Sequence, residues 1–429
     1  MLLLSVLSLD LEKPKEEVEA MKKRYMPILL VLALSVFSFS QILNYVPSDF
    51  KAVHFVKNLS NFYQSLKSTP TGEFLADSLG LEMMIQGMIE SQLLNRNVKP
   101  SDFYELVSKE FLFVQLDNQN YCLVVGPSDK AAKLRDAVKA IFEDIFGKKV
   151  SVRVQNGYLF LGSTEDAINK SLKGGGNVPD HLKKLDFFSY SRVSVDKYSF
   201  VSTTVLRGTT PQMAFETRIE PVGSASADFL KRLGRPKKLP ANFLEYGELT
   251  MLFNTEDYSG LSNLIRTSLP EIKIEDFLGT KSDAQKVVDG LIREADTPIL
   301  VSMNLSKAVS EAISGATPTS LEVTAKLYLK DKSVIEKILK DVGVSYTKQG
   351  DRYLVGDYTM SYSAGLAVFK SSKFSTKSIP FKPSENDVFF MFLDTKALME
   401  ALLGSGKDAY VLMRGIYKDN GISLTVNVK

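Results

Sequence analysis

The sequence is poor in the side chains that usually carry metal and redox chemistry. Its 429 residues include one cysteine, two histidines and no tryptophan. The single thiol, Cys122, excludes an intrachain disulfide, and its apolar neighbours predict a small buried residue and not a reactive thiol. Neither His54 nor His181 has another His or Cys at ligand spacing, which argues against zinc. We therefore expect no metal, no cofactor and no enzymatic activity.

Motifs for nucleotide binding and nucleophilic catalysis are also incomplete. The glycine-rich stretch before Asp408 resembles the end of a P-loop, but Asp408 stands where a Ser or Thr must hold magnesium. Ser194 and Lys197 have the spacing of a serine–lysine pair, but their extended segment would send the two side chains to opposite faces. A hydrolase with unrecognised serine or carboxylate chemistry is therefore the least favoured function.

The composition is that of an ordinary globular protein with a nearly balanced charge. The formal net charge is +3, and 44% of the residues are hydrophobic, which is enough to form real cores. A nucleic-acid binder normally carries a basic patch, and we expect no nucleic-acid partner.

A secretory signal begins at Met21. It combines a cationic head with the apolar run Met26–Phe37 and with small residues at Ser38 and Ser40, which predict cleavage before Gln41. The run is shorter than the roughly 20 residues that cross a bilayer. The pattern predicts an extracytoplasmic protein, periplasmic or secreted, with no stable membrane insertion after signal removal.

The late position of this signal leaves two interpretations of the N-terminus. We favour Met21 as the true start, which makes residues 1–20 an upstream start extension and residues 21–40 the signal peptide. In the alternative, the early residues are made and the apolar run stays as an uncleaved N-terminal membrane anchor.

The two halves of the remaining sequence show a weak repeat. Val46–Phe50 and Leu239–Phe243 are alike, and Gln155–Gly162 matches Gln349–Gly356 at a similar offset of about 194 residues. A nearly constant offset indicates an internal duplication. We predict a first domain over 41–230 and a second, related domain over 231–429.

Each half contains an amphipathic helix followed by a hairpin. In the first half the helix follows Ser128 and ends at Gly147, and in the second it starts at Ser333 and ends at Gly343. A final hairpin turns at Asn420-Gly421 and then alternates apolar and polar residues, as in a sheet covered on a single side. We predict an α+β fold of two related domains, each an antiparallel sheet with helices packed on one face.

A methionine-rich face lies on the helical stretch Glu73–Leu94. Met83, Met84 and Met88 recur there with other apolar residues. Flexible thioethers can bind a variable apolar ligand, so these three residues are candidate ligand-binding residues. The same stripe also fits the buried side of a core helix, which is the interpretation that we favour.

Several of these features occur together in one protein family. The leader, the strand entries at Val46–Asp49 and Pro383–Asp387, and the repeated strand, helix and hairpin units resemble a large bacterial family of exported proteins classed as a domain of unknown function. The resemblance spans most of the exported portion and departs at Asn242, which replaces the acidic residue of the entry. It implies no catalytic residue and no ligand.

The sequence therefore favours an exported, non-enzymatic envelope protein that binds or scaffolds another envelope component. The alternative from another class is a soluble carrier of a lipid or other apolar ligand. The expected partner is accordingly an envelope protein or an apolar ligand.

Overall fold

A computed structural model describes residues 41–257 apart from positions 79, 118, 196, 209 and 210, and then residues 287, 290–292, 294–313 and 322–429. The predicted extension 1–20 and the signal peptide 21–40, with Ser38 and Ser40, lie outside the described residues. The sequence of the second half also predicts helical structure from Tyr258 to about Glu294, and most of that stretch lies outside the described residues as well. Gln41 is described, and it begins a short 3₁₀-helix that ends at Tyr45.

The first of two compact units comprises residues 41–193 and 200–219. Its strands are β1 (Ala52–Val56), β2 (Glu110–Gln115), β3 (Tyr121–Gly126), β4 (Ser151–Gln155), β5 (Tyr158–Gly162) and most of β6 (Phe187–Val195), β7 (Tyr198–Arg207) and β8 (Met213–Val222). Its helices are α1 (Leu59–Lys67), α2 (Pro70–Glu73), a π-helix (Phe74–Ser78), α3 (Leu81–Leu94), α4 (Pro100–Val107), α5 (Ala131–Phe146), α6 (Glu165–Lys173) and a 3₁₀-helix (Leu182–Lys184). Antiparallel pairing follows the order β4–β5–β3–β2–β1–β6.

The core of this unit forms where the helices meet the sheet. Leu134, Val138 and Ile141 of α5 are buried, together with strand residues such as Val124 and Phe160. The helix ends at Gly147, which has a φ of +64°. The predicted amphipathic stripe and its glycine stop are confirmed at these positions.

The second unit comprises residues 194–199 and the described residues from 220 to 429. Its strands are β9 (Leu249–Phe253), β10 (Asp296–Asn304), β11 (Glu322–Tyr328), β12 (Thr347–Gln349), β13 (Arg352–Val355), β14 (Tyr358–Ser363), β15 (Leu366–Ser371), β16 (Asp387–Leu393), β17 (Val411–Lys418) and β18 (Gly421–Val428). Its helices are α7 (Ser224–Leu233), α8 (Ser306–Ile313), α9 (Ser333–Val342) and α10 (Thr395–Leu403). Pairing follows the order β12–β13–β14–β15–β11–β10–β9–β16–β17–β18.

The sheet of the second unit has a core on each of its two sides. On one side, α9 packs over a cluster that includes Val301, Ala325 and Phe369. On the other side, Leu300 and Phe390 belong to one core cluster with residues of two irregular segments, 235–247 and 372–386, which contribute Phe243, Ile379 and Phe381. Both sides of this part of the sheet are therefore buried, and irregular chain covers one of them.

The predicted fold class is wrong. The eighteen strands among the described residues belong to one antiparallel sheet, and the helices are scattered along the chain. Alternation of apolar residues identifies a strand and its buried side. The hydrogen bonds that join one strand to the next are made by backbone groups, which nearly all residues share. The sequence pattern therefore predicts individual strands but not which strands join into one sheet.

Candidate functional site

The helix α3 exposes apolar side chains to solvent. Met83 is 78% exposed and Met84 is 39% exposed, and Leu94 is also exposed. Gly87 and Ser91 lie between them and are exposed as well. We call these five residues the outward face of α3. None of the five is charged, but Glu90 follows Met83 by seven residues and lies beside them on the same stripe of the helix.

The two carboxylates of α3 make contacts within the unit. Glu82 accepts a hydrogen bond from the Lys67 ammonium, which also contacts Asp77 at 2.8 Å. These hydrogen bonds raise the pKa of Lys67. Glu90 accepts a hydrogen bond of 3.1 Å from the Tyr104 hydroxyl, and burial together with this carboxylate raises the pKa of Tyr104 to about 12. These contacts of the two carboxylates fix α3 to neighbouring residues of the first unit.

The opposite side of α3 fixes the helix to the core. Leu93 is fully buried and Ile89 packs beside it against the same core cluster. Just beyond the helix, the Arg96 guanidinium lies 3.3 Å from a carboxylate oxygen of Asp144 on α5. The outward face is therefore presented by an anchored helix.

The outward face can bind an apolar surface at low electrostatic cost. A helix of 14 residues is about 21 Å long, which is long enough to pack against another helix or a strand pair. Covering these five residues would desolvate thioether and aliphatic groups. The carboxylate of Glu90 beside them already accepts a hydrogen bond from Tyr104, which limits the cost of covering it. Thioethers also adapt their shape to irregular surfaces.

The structure separates the three predicted ligand-binding methionines. Met83 and Met84 are exposed, whereas Met88 is half-buried. The favoured interpretation of this stripe as core therefore does not hold for Met83 and Met84. The predicted helical stretch Glu73–Leu94 is divided, because the chain changes to a π-helix at Phe74 and passes through Gly80 at a φ of +65°.

A cluster of charged side chains that was not predicted from the sequence lies in the second unit. The Lys326 side chain is 7% exposed, and its ammonium lies 3.0 Å from Glu245 and donates to the Asn242 carbonyl at 2.9 Å. The other oxygen of Glu245 accepts a hydrogen bond of 2.8 Å from Lys370. Burial alone would raise the pKa of Glu245, but the hydrogen bonds from the two lysines lower it. We call Glu245, Lys326 and Lys370 the buried charge cluster.

Two further carboxylates of the second unit accept hydrogen bonds from backbone amides at the starts of helices. Glu248 accepts hydrogen bonds of 2.7 Å from the backbone amides of Leu305 and Ser306 at the start of α8. Asp394 accepts one of 3.0 Å from the amide of Ala397 at the start of α10, and burial raises the pKa of Asp394. These carboxylates satisfy free helix amides, so their arrangement is structural.

The thiol and the two histidines lie apart from these clusters. Cys122 is buried, and burial raises the pKa of its thiol to about 12, so the predicted small buried residue is confirmed. His54 lies in β1 with its Nδ1 atom buried, and burial lowers its pKa to about 4. His181 is exposed. Across the described part of the chain, no group of three or more His, Cys, Asp or Glu side chains is arranged to hold a metal ion.

Two further observations bear on the identity of the protein. Within the described ranges, no helix combines the length and the apolar character that crossing a membrane requires. The resemblance to an exported family of unknown function stays a prediction. No known protein family, curated protein or solved structure matches this chain.

Proposed function

We propose that this protein is an exported, non-enzymatic envelope protein that binds another envelope component through the outward face of α3. The observation that carries the proposal is the exposure of Met83 and Met84 on a helix whose carboxylates Glu82 and Glu90 contact the protein itself. The extracytoplasmic location rests on the predicted signal peptide.

The partner that this face fits is a protein with an apolar, uncharged surface. Fully burying a methionine or leucine side chain contributes roughly 1.5–3 kcal/mol. Met83, Met84 and Leu94 are exposed by 78%, 39% and 61%, so covering them supplies part of this favourable term. A charged partner surface would lose its hydration without gaining an ion pair, because this face carries no charge. A partner with charged groups at the contact should therefore bind more weakly than an uncharged one.

The alternative function as a carrier of an apolar ligand gains no support from this geometry. A carrier buries most of its ligand in a concave site. Met83 is 78% exposed, so its side chain lies in solvent and does not line an enclosed space. The exposure of these side chains therefore favours the binding of a protein surface over the enclosure of an apolar ligand.

Export is tested by the mass of the mature protein. The protein purified from its native host should begin at Gln41, because the small residues before that position specify signal cleavage. A protein that keeps residues 21–40 and fractionates with membranes would contradict the secreted form.

The contact surface is tested by photo-crosslinking in the native envelope. A photoreactive amino acid at position 83 should yield one defined adduct, and the same amino acid at position 403 should not. Leu403 is the matched control, because it is an apolar helix residue that is 50% exposed outside α3. Equal labelling from both positions would show nonspecific adhesion.

Affinity measurements with the purified adduct partner complete the test. The double variant M83E/M84E should bind about 30-fold more weakly, or about 2 kcal/mol, because two carboxylates would have to be desolvated. The L403E variant should bind like the parent. Unchanged affinity in M83E/M84E would place the contact elsewhere and overturn this part of the proposal.

A further inference from the structure

An acidic and a basic side chain of the second unit face each other without touching. Asp387 begins β16 with a side chain that is only 1% exposed, and one of its oxygens, Oδ2, accepts a hydrogen bond of 2.7 Å from the amide of Ser384. Arg414 of β17 donates from Nη2 to the Lys382 carbonyl at 2.6 Å. Its guanidinium also lies 5.7 Å from the centre of the Phe390 ring.

An irregularity in β16 brings these two side chains to one side of the sheet. Phe390 is opposite Arg414 in the ladder, and the register shifts between Asp387 and Phe389. Residues three apart in a regular strand point to opposite faces. The additional residue at Val388 reverses this relation, so that Asp387 can lie on the same side as Phe390 and Arg414.

The facing groups leave two polar atoms without a protein partner. Nη1 of Arg414 is 4.0 Å from Oδ2 of Asp387, which is longer than a hydrogen bond. Oδ1 of Asp387 and Nε of Arg414 are inaccessible to solvent, and neither finds a hydrogen-bonding partner among the described residues. The Asp387 side chain is 1% exposed and the Arg414 side chain is 33% exposed, so the unmade hydrogen bond costs most at the buried carboxylate.

The chemistry of the two atoms defines what can join them. Oδ1 of an ionised carboxylate only accepts hydrogen bonds, and Nε of a guanidinium only donates them. A cation would satisfy Asp387 and be repelled by Arg414, and an anion would do the reverse. A small neutral molecule that both donates and accepts hydrogen bonds can satisfy the two atoms together.

We propose that one water molecule binds between Asp387 and Arg414, donating to Oδ1 and accepting from Nε. Buried waters typically make two to four hydrogen bonds to such groups. The site is independent of the α3 face and of the proposed function.

The proposed water site connects the irregular segment 372–386 to the sheet. Lys382 and Ser384, whose backbone groups contact Arg414 and Asp387, belong to the 372–386 segment. The same segment places Ile379 and Phe381 over the core cluster that contains Phe390. The carboxylate, the water and the guanidinium therefore form a single bridge that holds this cover in place.

A high-resolution crystal structure of the full chain tests the site. We expect a water oxygen at about 2.7–3.2 Å from both Oδ1 of Asp387 and Nε of Arg414. The directly bonded pair of Lys326 and Glu245 is the internal control, because its atoms are 3.0 Å apart and leave no place for a bridging water. A direct contact between Nε and Oδ1, or an absence of density between them, would overturn the proposal.

Amide hydrogen exchange tests the bridge without a crystal. Arg414→Lys keeps the positive charge and removes both Nε and the Nη2 donor to Lys382, so the Ser384 amide should exchange at least about 10-fold faster as the whole bridge to its acceptor Asp387 is lost. Lys370→Arg is the control, and it should leave the Ser384 amide unchanged. Equal exchange in the parent and in Arg414→Lys would contradict the bridge, and folding is verified by unchanged exchange in β9 and β10.

Discussion

The two units differ in which kind of side chain lies in an unusual environment: the first exposes apolar side chains, and the second buries a charged one. In the first unit, α3 turns Met83 and Met84 to solvent. In the second unit, Lys326 is buried beneath an irregular segment that supplies its counter-charge, Glu245. An exposed apolar side chain needs no partner for folding, whereas a buried charge needs one in a defined place. The first arrangement is therefore available for binding, and the second one fixes the fold.

The largest expected effect comes from removing the shared carboxylate of the buried charge cluster. Glu245→Leu leaves the Lys326 ammonium buried without its counter-charge. It should lower the free energy of unfolding by about 4 kcal/mol, measured by urea denaturation. The double variant Glu245→Leu/Lys326→Met should recover most of this loss, because apolar side chains can replace a buried ion pair.

The exposed member of the same cluster provides the control for this prediction. Lys370 is 38% exposed, so Lys370→Met should cost about 1 kcal/mol or less. If Glu245→Leu costs no more than Lys370→Met, the cluster does not hold the segment 235–247 against the sheet.

On the first unit, truncating the buried side of α3 should have the next largest effect. Leu93 is fully buried in the core, and Leu93→Ala should lower the free energy of unfolding by about 3 kcal/mol through lost burial and a residual cavity. Thermal and urea unfolding of the purified protein measure this change. A loss below 1 kcal/mol would mean that α3 is not anchored to the core.

The first unit also buries a titratable base, and this makes its stability depend on pH. The pKa of His54 is about 4, below its ordinary value of 6.5. Between these values the unfolded chain binds a proton that the folded chain excludes, so stability falls as the pH falls from 6.5 to about 4. The loss should reach about 3 kcal/mol at the lower limit.

A comparison of variants at pH 7 and pH 4 isolates this term from other titrating groups. His54→Gln should lose less stability between the two pH values than the parent does. His181→Gln should follow the parent, because His181 is exposed. Identical pH dependence in His54→Gln and the parent would contradict a buried neutral His54.

The local predictions from the sequence hold where short-range chemistry decides the structure. The helix predicted from Ser333 runs from Ser333 to Val342 and ends at Gly343 with a φ of +73°. The C-terminal hairpin is also present, but the residues of positive φ in its turn are Asp419 and Asn420 and not Asn420-Gly421. A turn can shift by one residue because Asp and Asn tolerate the left-handed conformation as well.

The predictions fail where distant segments decide the environment. The matched hairpins illustrate this, because β5 pairs with β3, whereas the corresponding place beside β11 is taken by β15 and not by β13. Lys326 lies in a strand and is buried because Glu245 reaches it from another segment. The α3 stripe likewise specifies a helix, but only the packing of its neighbours decides that Met83 faces outward.

The smallest expected effect on folding belongs to the face that we propose for binding. Met83→Glu should change the free energy of unfolding by less than about 0.5 kcal/mol, because Met83 is 78% exposed and has little burial to lose. Leu93→Ala on the same helix is the comparison, because its expected loss of about 3 kcal/mol comes from a side chain that is fully buried. Urea denaturation compares the two variants. A loss of more than 1 kcal/mol in Met83→Glu would mean that Met83 contributes to the fold, and the interpretation of the outward face as a free contact surface would then be wrong.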